Sequence, residues 1–184
     1  MDVYSYLDKP DLDGRIQVIA GYLARHCRDK HIVDLNCGHA PILHYLPKKY
    51  GTYRGNDLDH ECFKHNHWRI TFYHITDKEF AMALHDIDAP VDILLCLGMV
   101  DSRKSLEELE SETLPESVVQ IARYHKPEII VLETPSYYED AYSVMKDTYL
   151  ELGDKYETVM DWTISPSTGR NIKNTRRVVA LERV

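Results

Sequence analysis

The sequence predicts an α/β fold in which a three-layer, doubly wound and mostly parallel sheet is closed by an antiparallel pair of strands. Strand and helix patterns alternate from about residue 15 to 153, which is typical of a doubly wound sheet. Residues 91–97 (VDILLCL) and 128–132 (EIIVL) are nearly continuous apolar runs, as expected for strands covered on both faces. Residues 156–164 and 177–182 are strand patterns with no helix between them, so we expect them to pair antiparallel.

The first third of the chain contains a long helix and two short strands on either side of a polar turn. Residues 11–28 place apolar side chains at helical spacing. The apolar strand 31–35 comes next. After the turn we expect a helix that Pro47 and Gly51 end and whose apolar residues are Ile42, Leu43, Tyr45 and Leu46. Residues 52–56 form the second predicted strand.

The middle of the chain continues the alternation. We expect a short polar helix at about 60–67, a β-branched and aromatic strand at 69–75, and a helix around 77–85. Two capping boxes, each a Thr or Ser followed three residues later by Glu, predict helix starts at Thr113 and Ser136. The pattern therefore supplies seven strands with helices for both faces of the sheet.

Composition indicates a globular protein of one domain, residues 1–184, in which 1–28 form an N-terminal segment and helix. No apolar run reaches the roughly 20 residues that span a bilayer, and the polar start of the chain does not resemble a signal peptide. We therefore expect a cytoplasmic protein without a membrane partner. A formal net charge of −8 opposes binding to phosphate backbones, so nucleic acid is an unlikely partner.

Cysteine and histidine patterns give no sign of a metal site. Cys27, Cys37, Cys62 and Cys96 have no CxxC spacing, so we expect reduced thiols that are mostly small buried groups. The segment HNHW at residues 65–68 lacks acidic or cysteine partners at ligand spacing, which favours a polar helix face over metal binding.

Polar and small residues follow the first two strands, where a doubly wound sheet binds ligands. Asp34, Asn36, Cys37 and Gly38 surround the end of the first strand. Small residues there allow the backbone to approach a ligand closely. Asp57 ends the second strand, 23 residues after Asp34, where a carboxylate can accept hydrogen bonds from both hydroxyls of a ribose.

These two segments resemble a known family. The run Val33-Asp34-Leu35-Asn36-Cys37-Gly38-His39-Ala40 resembles the first motif of class I S-adenosylmethionine-dependent methyltransferases, and 53–57 (YRGND) is similar to their second-strand motif. The resemblance implies a Rossmann-like fold with seven strands, the last of them antiparallel. Asn36 and Ala40 replace the usual first and last glycines; Asn tolerates a left-handed backbone and Ala adds one methyl group.

The resemblance implies S-adenosyl-L-methionine as cofactor and a role in binding it for nine residues. They are Asp34, Asn36, Cys37, Gly38, Asp57, Leu58, Asp77, Leu97 and Gly98. In this interpretation Asp34 orients the amino group of the methionine part, Asp57 holds the ribose and Leu58 packs on adenine. Asp77 would bind the adenine amine, or alternatively cap the helix that follows it.

The sequence is less specific about the residues that would bind the methyl acceptor. Candidate residues are Asp101, Glu133 and Tyr137, and a small molecule is the favoured acceptor, with a protein side chain as a further possibility. The alternative to catalysis is a binding or scaffold protein that retains the fold. Another α/β enzyme, such as a nicotinamide-dependent one, is disfavoured because GxGxxG is absent. Acceptor identity and oligomeric state stay open at this point.

Overall fold

A computed structural model describes residues 14–58, 69–98, 114–135, 139–164 and 175–184. The predicted helix at 60–67, the HNHW segment and the capping residues Thr113 and Ser136 lie outside these ranges.

The centre of the molecule is a seven-stranded sheet in the order β3-β2-β1-β4-β5-β7-β6. The strands are β1 His31–Leu35, β2 Thr52–Asn56, β3 Ile70–Tyr73, β4 Ile93–Leu97, β5 Ile129–Pro135, β6 Tyr156–Ile164 and β7 Arg176–Arg183. The pairs among β1 to β5 are parallel, whereas β7 runs antiparallel to both of its neighbours, β5 and β6. The predicted fold class is confirmed.

Helices cover both faces of this sheet. They are α1 Gly14–Leu23, α2 Asp77–Asp86, α3 Leu114–His125 and α4 Glu139–Leu152, with 3-10 turns at Pro41–His44 and Gly153–Lys155. The first of these 3-10 turns and α1 pack on one face, which we call the α1 face, and the other three helices pack on the opposite face. Because β1 and β4 are buried on both faces, their apolar runs carry no polar alternation apart from Asp34.

The helix predicted after β1 is wrong: this segment forms only the 3-10 turn Pro41–His44. Ala40 is left-handed with φ of 48°, so regular helix cannot begin before Pro41. Pro47 disfavours helical geometry at the residue before it, which leaves too few residues for a stable α-helix. A helix dipole therefore contributes little to ligand binding at this turn. The backbone N–H groups of the turn itself become the more important donors to a ligand.

The strand order reverses direction between β1 and β4. From β1 the chain continues outward to β2 and β3, whereas β4 and β5 lie on the other side of β1. Connections that leave in opposite directions separate the loops after β1 and β4, and ligands of doubly wound sheets bind there. Asp34, Asp57 and Gly98 all lie at this edge of the sheet.

Cys27, Cys37 and Cys96 are buried, as predicted, and form no disulfide with one another, whereas Cys62 lies outside the described ranges. Within those ranges no three His, Cys, Asp or Glu side chains are grouped so that they could hold a metal ion. None of the described helices is both long and apolar enough to cross a membrane.

Candidate functional site

The turn after β1 is held in an unusual backbone conformation. Asn36, Gly38 and Ala40 have φ of 51°, 53° and 48°, in the left-handed region that glycine and asparagine tolerate best. Buried Asn56 at the end of β2 supports the turn: its side-chain oxygen accepts from the Asn36 N–H at 3.3 Å, and its carbonyl accepts from the Cys37 N–H at 2.9 Å. The turn is thus fastened to the end of the neighbouring strand.

Asp57 adds a charged contact to the same turn. Its Oδ2 accepts a hydrogen bond from the Gly38 N–H at 2.8 Å, and the residue is only 7% exposed. A carboxylate that accepts from a backbone N–H makes one of the stronger hydrogen bonds in proteins. Asp57 therefore lies directly beside Gly38 of the first motif.

Asp34 is a buried carboxyl with one oxygen satisfied and one not. Tyr53 of β2 donates its hydroxyl to Asp34 Oδ2 at 2.6 Å, while Oδ1 is buried and has no hydrogen-bond partner among the described residues. Burial raises the pKa of Asp34 from 3.8 to about 7, the Tyr53 hydrogen bond opposes this, and the charge of Asp57 adds to it. The two carboxyl groups are thus close enough to influence each other.

The raised pKa of Asp34 predicts how stability depends on pH. Below pH 3.8 the carboxyl is protonated in both folded and unfolded protein; between 3.8 and about 7 only the folded state retains the proton. The free energy of unfolding therefore falls as pH rises through this window, by about 1.4 kcal/mol per pH unit at most, and levels off above it. Compared with Asp34→Asn, the wild type should lose about 2 to 3 kcal/mol between pH 5 and 7.5 in urea denaturation.

Tyr53→Phe serves as the matched control for that experiment. Loss of the phenol removes the one hydrogen bond that the described residues donate to the Asp34 carboxyl, so the pKa of Asp34 should rise further and the pH window should extend upward. A difference between wild type and Asp34→Asn that is constant over pH 5 to 8 would contradict the shifted pKa.

Gly55 provides the space that the turn occupies. A Cβ at this position would lie 2.6 Å from Sγ and 3.1 Å from Cβ of Cys37. Since real Cβ atoms do not approach other atoms that closely, only glycine allows Cys37 to remain buried against β2.

The other residues of the predicted cofactor site lie along the same edge. Leu58 is 64% exposed, directly after Asp57. Leu97 ends β4, and Gly98 follows it with φ of 99° and open space where a Cβ would be.

Asp77 lies in the first turn of α2, where its Oδ2 accepts from the Ser117 hydroxyl at 2.8 Å. The alternative in which Asp77 caps this helix is wrong, because Thr76 is the N-cap and forms a capping box with Glu79.

On the acceptor side only Glu133 can be located, since Asp101 and Tyr137 lie outside the described residues. Glu133 is fully buried and forms ion pairs with Arg15 at 2.9 Å and with Arg176 at 3.4 Å. Sequence reasoning did not connect either arginine with Glu133, and it also missed the roles of Tyr53 and Asn56. The sequence did contain a signal for Tyr53. Alternate residues of a strand share one face, so Tyr53 lies on the same side of β2 as Gly55 and Asp57.

Comparisons with known proteins support the fold. No family model matches the sequence, and no curated protein does. Among solved structures, magnesium protoporphyrin IX methyltransferase from Synechocystis PCC 6803 with bound SAM has a TM-score of 0.65 at 12% identity, covering 94% of this chain and 79% of that one. N-methyltransferase NodS from Bradyrhizobium japonicum WM9 has a TM-score of 0.67 at 7% identity, covering 96% and 98%. Small RNA methyltransferase HEN1 has a TM-score of 0.58 at 18% identity, covering 95% of this chain and 26% of that one. The protein therefore has the fold of the class I S-adenosylmethionine-dependent methyltransferases.

Proposed function

We propose that this protein is an S-adenosylmethionine-dependent methyltransferase whose acceptor is a small molecule. The observation that carries the proposal is the pair of buried carboxyl groups, Asp34 and Asp57, on adjoining strand ends beside a turn with three left-handed residues. Similar structures crystallised with SAM or SAH support the choice of cofactor.

The residues at this edge fit such a cofactor. The buried Oδ1 of Asp34, which has no hydrogen-bond partner among the described residues, is suited to the ammonium group of the methionine part, because a cation offsets the cost of an ionised buried carboxyl. Asp57 lies where the ribose hydroxyls would bind, and exposed Leu58 offers an apolar surface for adenine. Gly98 leaves room for close backbone approach after β4.

S-adenosylmethionine supplies a methyl group that its sulfonium has already activated. The protein's contribution is then to bind, to orient and to exclude water, which can account for a large share of a rate enhancement. A general base is needed only for an acceptor that is protonated at neutral pH. Asp101 and Tyr137 stay predictions for the acceptor side, whereas the ion pairs of Glu133 favour a binding role over proton transfer.

A small-molecule acceptor is favoured by the net charge of −8. The expectation that nucleic acid is an unlikely acceptor has no support from the structural comparisons, because HEN1, one of the similar structures, is a small RNA methyltransferase. The acceptor class therefore has to be an explicit outcome of the experiment.

Isothermal titration with S-adenosylhomocysteine tests the cofactor. We expect micromolar binding and, near pH 7, release of a fraction of a proton as the ammonium group lowers the pKa of Asp34. Titration in two buffers of different ionisation enthalpy measures that proton, and Asp34→Asn should abolish its release. Absence of binding by folded protein would refute the proposed function.

Transfer is tested with methyl-tritiated S-adenosylmethionine and a cell extract separated into small molecules, RNA and protein. Label in the small-molecule fraction is the expected result. Label in ribonuclease-sensitive material would overturn the acceptor class. Cofactor binding without label in any fraction would favour the non-catalytic alternative.

A further inference from the structure

We propose that the acceptor carries an oxyanion, a carboxylate or phosphate, which Arg176 binds. This inference rests on the proposed function and names a property of its substrate. It starts from the cluster of Arg15, Glu133 and Arg176, which links α1, β5 and β7.

The cluster lies on the same face of the sheet as Asp34. Ile32, Val131 and Val178 all belong to the core of the α1 face. Since side chains two residues apart on a strand point to the same side, Asp34, Glu133 and Arg176 point to that face as well.

The cluster also lies near the carboxyl ends of the parallel strands, the edge of the sheet at which the cofactor is proposed to bind. Asp34 is level with Leu95, and Glu133 is level with Leu97, two residues closer to the carboxyl end. Glu133 is two strands from Asp34, which is about 10 Å across the sheet. Its carbonyl oxygen accepts from the Gly98 N–H at 3.2 Å, so the same residue contacts the end of β4. The separation of about 10 Å between Asp34 and Glu133 suits the binding of a group on the acceptor rather than of the cofactor's reacting end.

One carboxylate is shared by two guanidinium groups. Glu133 is fully buried, and its Oε2 accepts from Arg15 at 2.9 Å with good geometry. Its Oε1 lies 3.4 Å from Nε of Arg176 but receives no hydrogen bond among the described residues. Arg176 is therefore held near Glu133 by charge, without a well-formed hydrogen bond.

Arg176 has hydrogen-bond donors that the described residues leave unused. Its side chain is 19% exposed, and its two terminal amino groups have no partner among the described residues. A guanidinium presents these groups as a planar fork that matches the two oxygens of a carboxylate or phosphate. A mostly enclosed cation with a free fork is suited to one anionic group of a small acceptor, whereas an RNA backbone requires a series of exposed cations.

Arg177, the next residue, is a matched control. It forms two short hydrogen bonds to Asp161, of 2.7 and 2.6 Å, so its fork is already occupied. The two arginines point to opposite faces of β7 by the alternation of the strand.

The test uses the full chain saturated with S-adenosylhomocysteine and follows the arginine Nε–Hε signals by NMR. The Arg176 signal, identified by its absence in Arg176→Gln, should shift saturably with millimolar sodium phosphate or sodium acetate, and the Arg177 signal should not. A larger response to one of the two salts distinguishes phosphate from carboxylate, and sodium chloride controls for ionic strength. No saturable shift with either anion would overturn the inference.

Further measurements distinguish acceptor binding by Arg176 from binding of the cofactor or of RNA. Arg176→Gln and Arg177→Gln should both bind S-adenosylhomocysteine within about twofold of wild type; a loss of tenfold or more in Arg176→Gln alone would show that Arg176 serves the cofactor instead. Arg176→Lys, which retains the charge beside Glu133, should fold normally and weaken anion binding by roughly tenfold. A shift of the Arg176 signal by a short single-stranded RNA but not by phosphate or acetate would also overturn the inference.

Discussion

Replacement of Asp57 by alanine is expected to weaken binding of S-adenosylhomocysteine by about 100-fold or more. The carboxylate is proposed to accept from both ribose hydroxyls, and it also fixes the Gly38 N–H at 2.8 Å. Hydrogen bonds to charged groups contribute about 1.5 to 3 kcal/mol each, so two of them account for at least this factor. Isothermal titration of the purified variant measures the change.

Two variants make this result interpretable. Asp57→Asn retains an oxygen that can accept from Gly38 but loses the charge. Its affinity for S-adenosylhomocysteine should therefore lie between those of wild type and Asp57→Ala, about tenfold below wild type. Asp161→Ala removes a more exposed carboxylate that pairs with Arg177 on the outer strands, and it should leave binding unchanged. Affinity of Asp57→Ala within threefold of wild type would exclude the ribose assignment.

Replacement of Gly55 by alanine is expected to lower the free energy of unfolding by about 2 to 3 kcal/mol. The new methyl group would lie 2.6 Å from the buried Sγ of Cys37, and extra atoms in a filled core usually cost about 1 to 3 kcal/mol. Displacement of Cys37 also moves Gly38, so the affinity for S-adenosylhomocysteine should fall together with stability. Urea denaturation and titration measure both effects.

The cause of this loss can be checked with a second substitution. Cys37→Ala removes Sγ but retains the Cβ at 3.1 Å, so the double variant should recover part of the stability. Gly21→Ala is the control, since nothing lies within 4 Å of its new methyl group inside α1, and it should stabilise by about 0.5 to 1 kcal/mol. If Gly55→Ala is as stable as wild type, or if Cys37→Ala recovers nothing, the close approach is not what requires glycine here.

Much of the fold could be predicted from the chain because its central strands are buried on both faces. The continuous apolar runs of β4 and β5 reflect that burial directly. The predicted helix after β1 failed for a local reason that competes with periodicity. Its apolar residues have helical spacing, but a left-handed Ala40 and a nearby Pro47 leave room for a single 3-10 turn.

The candidate site could be predicted only where a motif connects neighbouring residues along the chain. The turn 36–40 and the carboxylate Asp57 were proposed as site residues in this way, and in the structure the Gly38 N–H donates a hydrogen bond to Asp57. Tyr53 was not assigned, because a tyrosine in a strand is most often a core residue, although strand alternation places it on the same face as Asp57. Arg15 and Glu133 are 118 positions apart, and no local pattern relates them.

The sequence by itself determined the alternation of strands and helices, the antiparallel end of the sheet and the two acidic strand ends, because each depends on side chains that are close in the chain. Only the tertiary structure decided which oxygen of Asp34 is satisfied, why position 55 must be glycine, and that two arginines share Glu133. These features depend on distances between separate elements, which arise when the sheet assembles and the faces of its strands are buried.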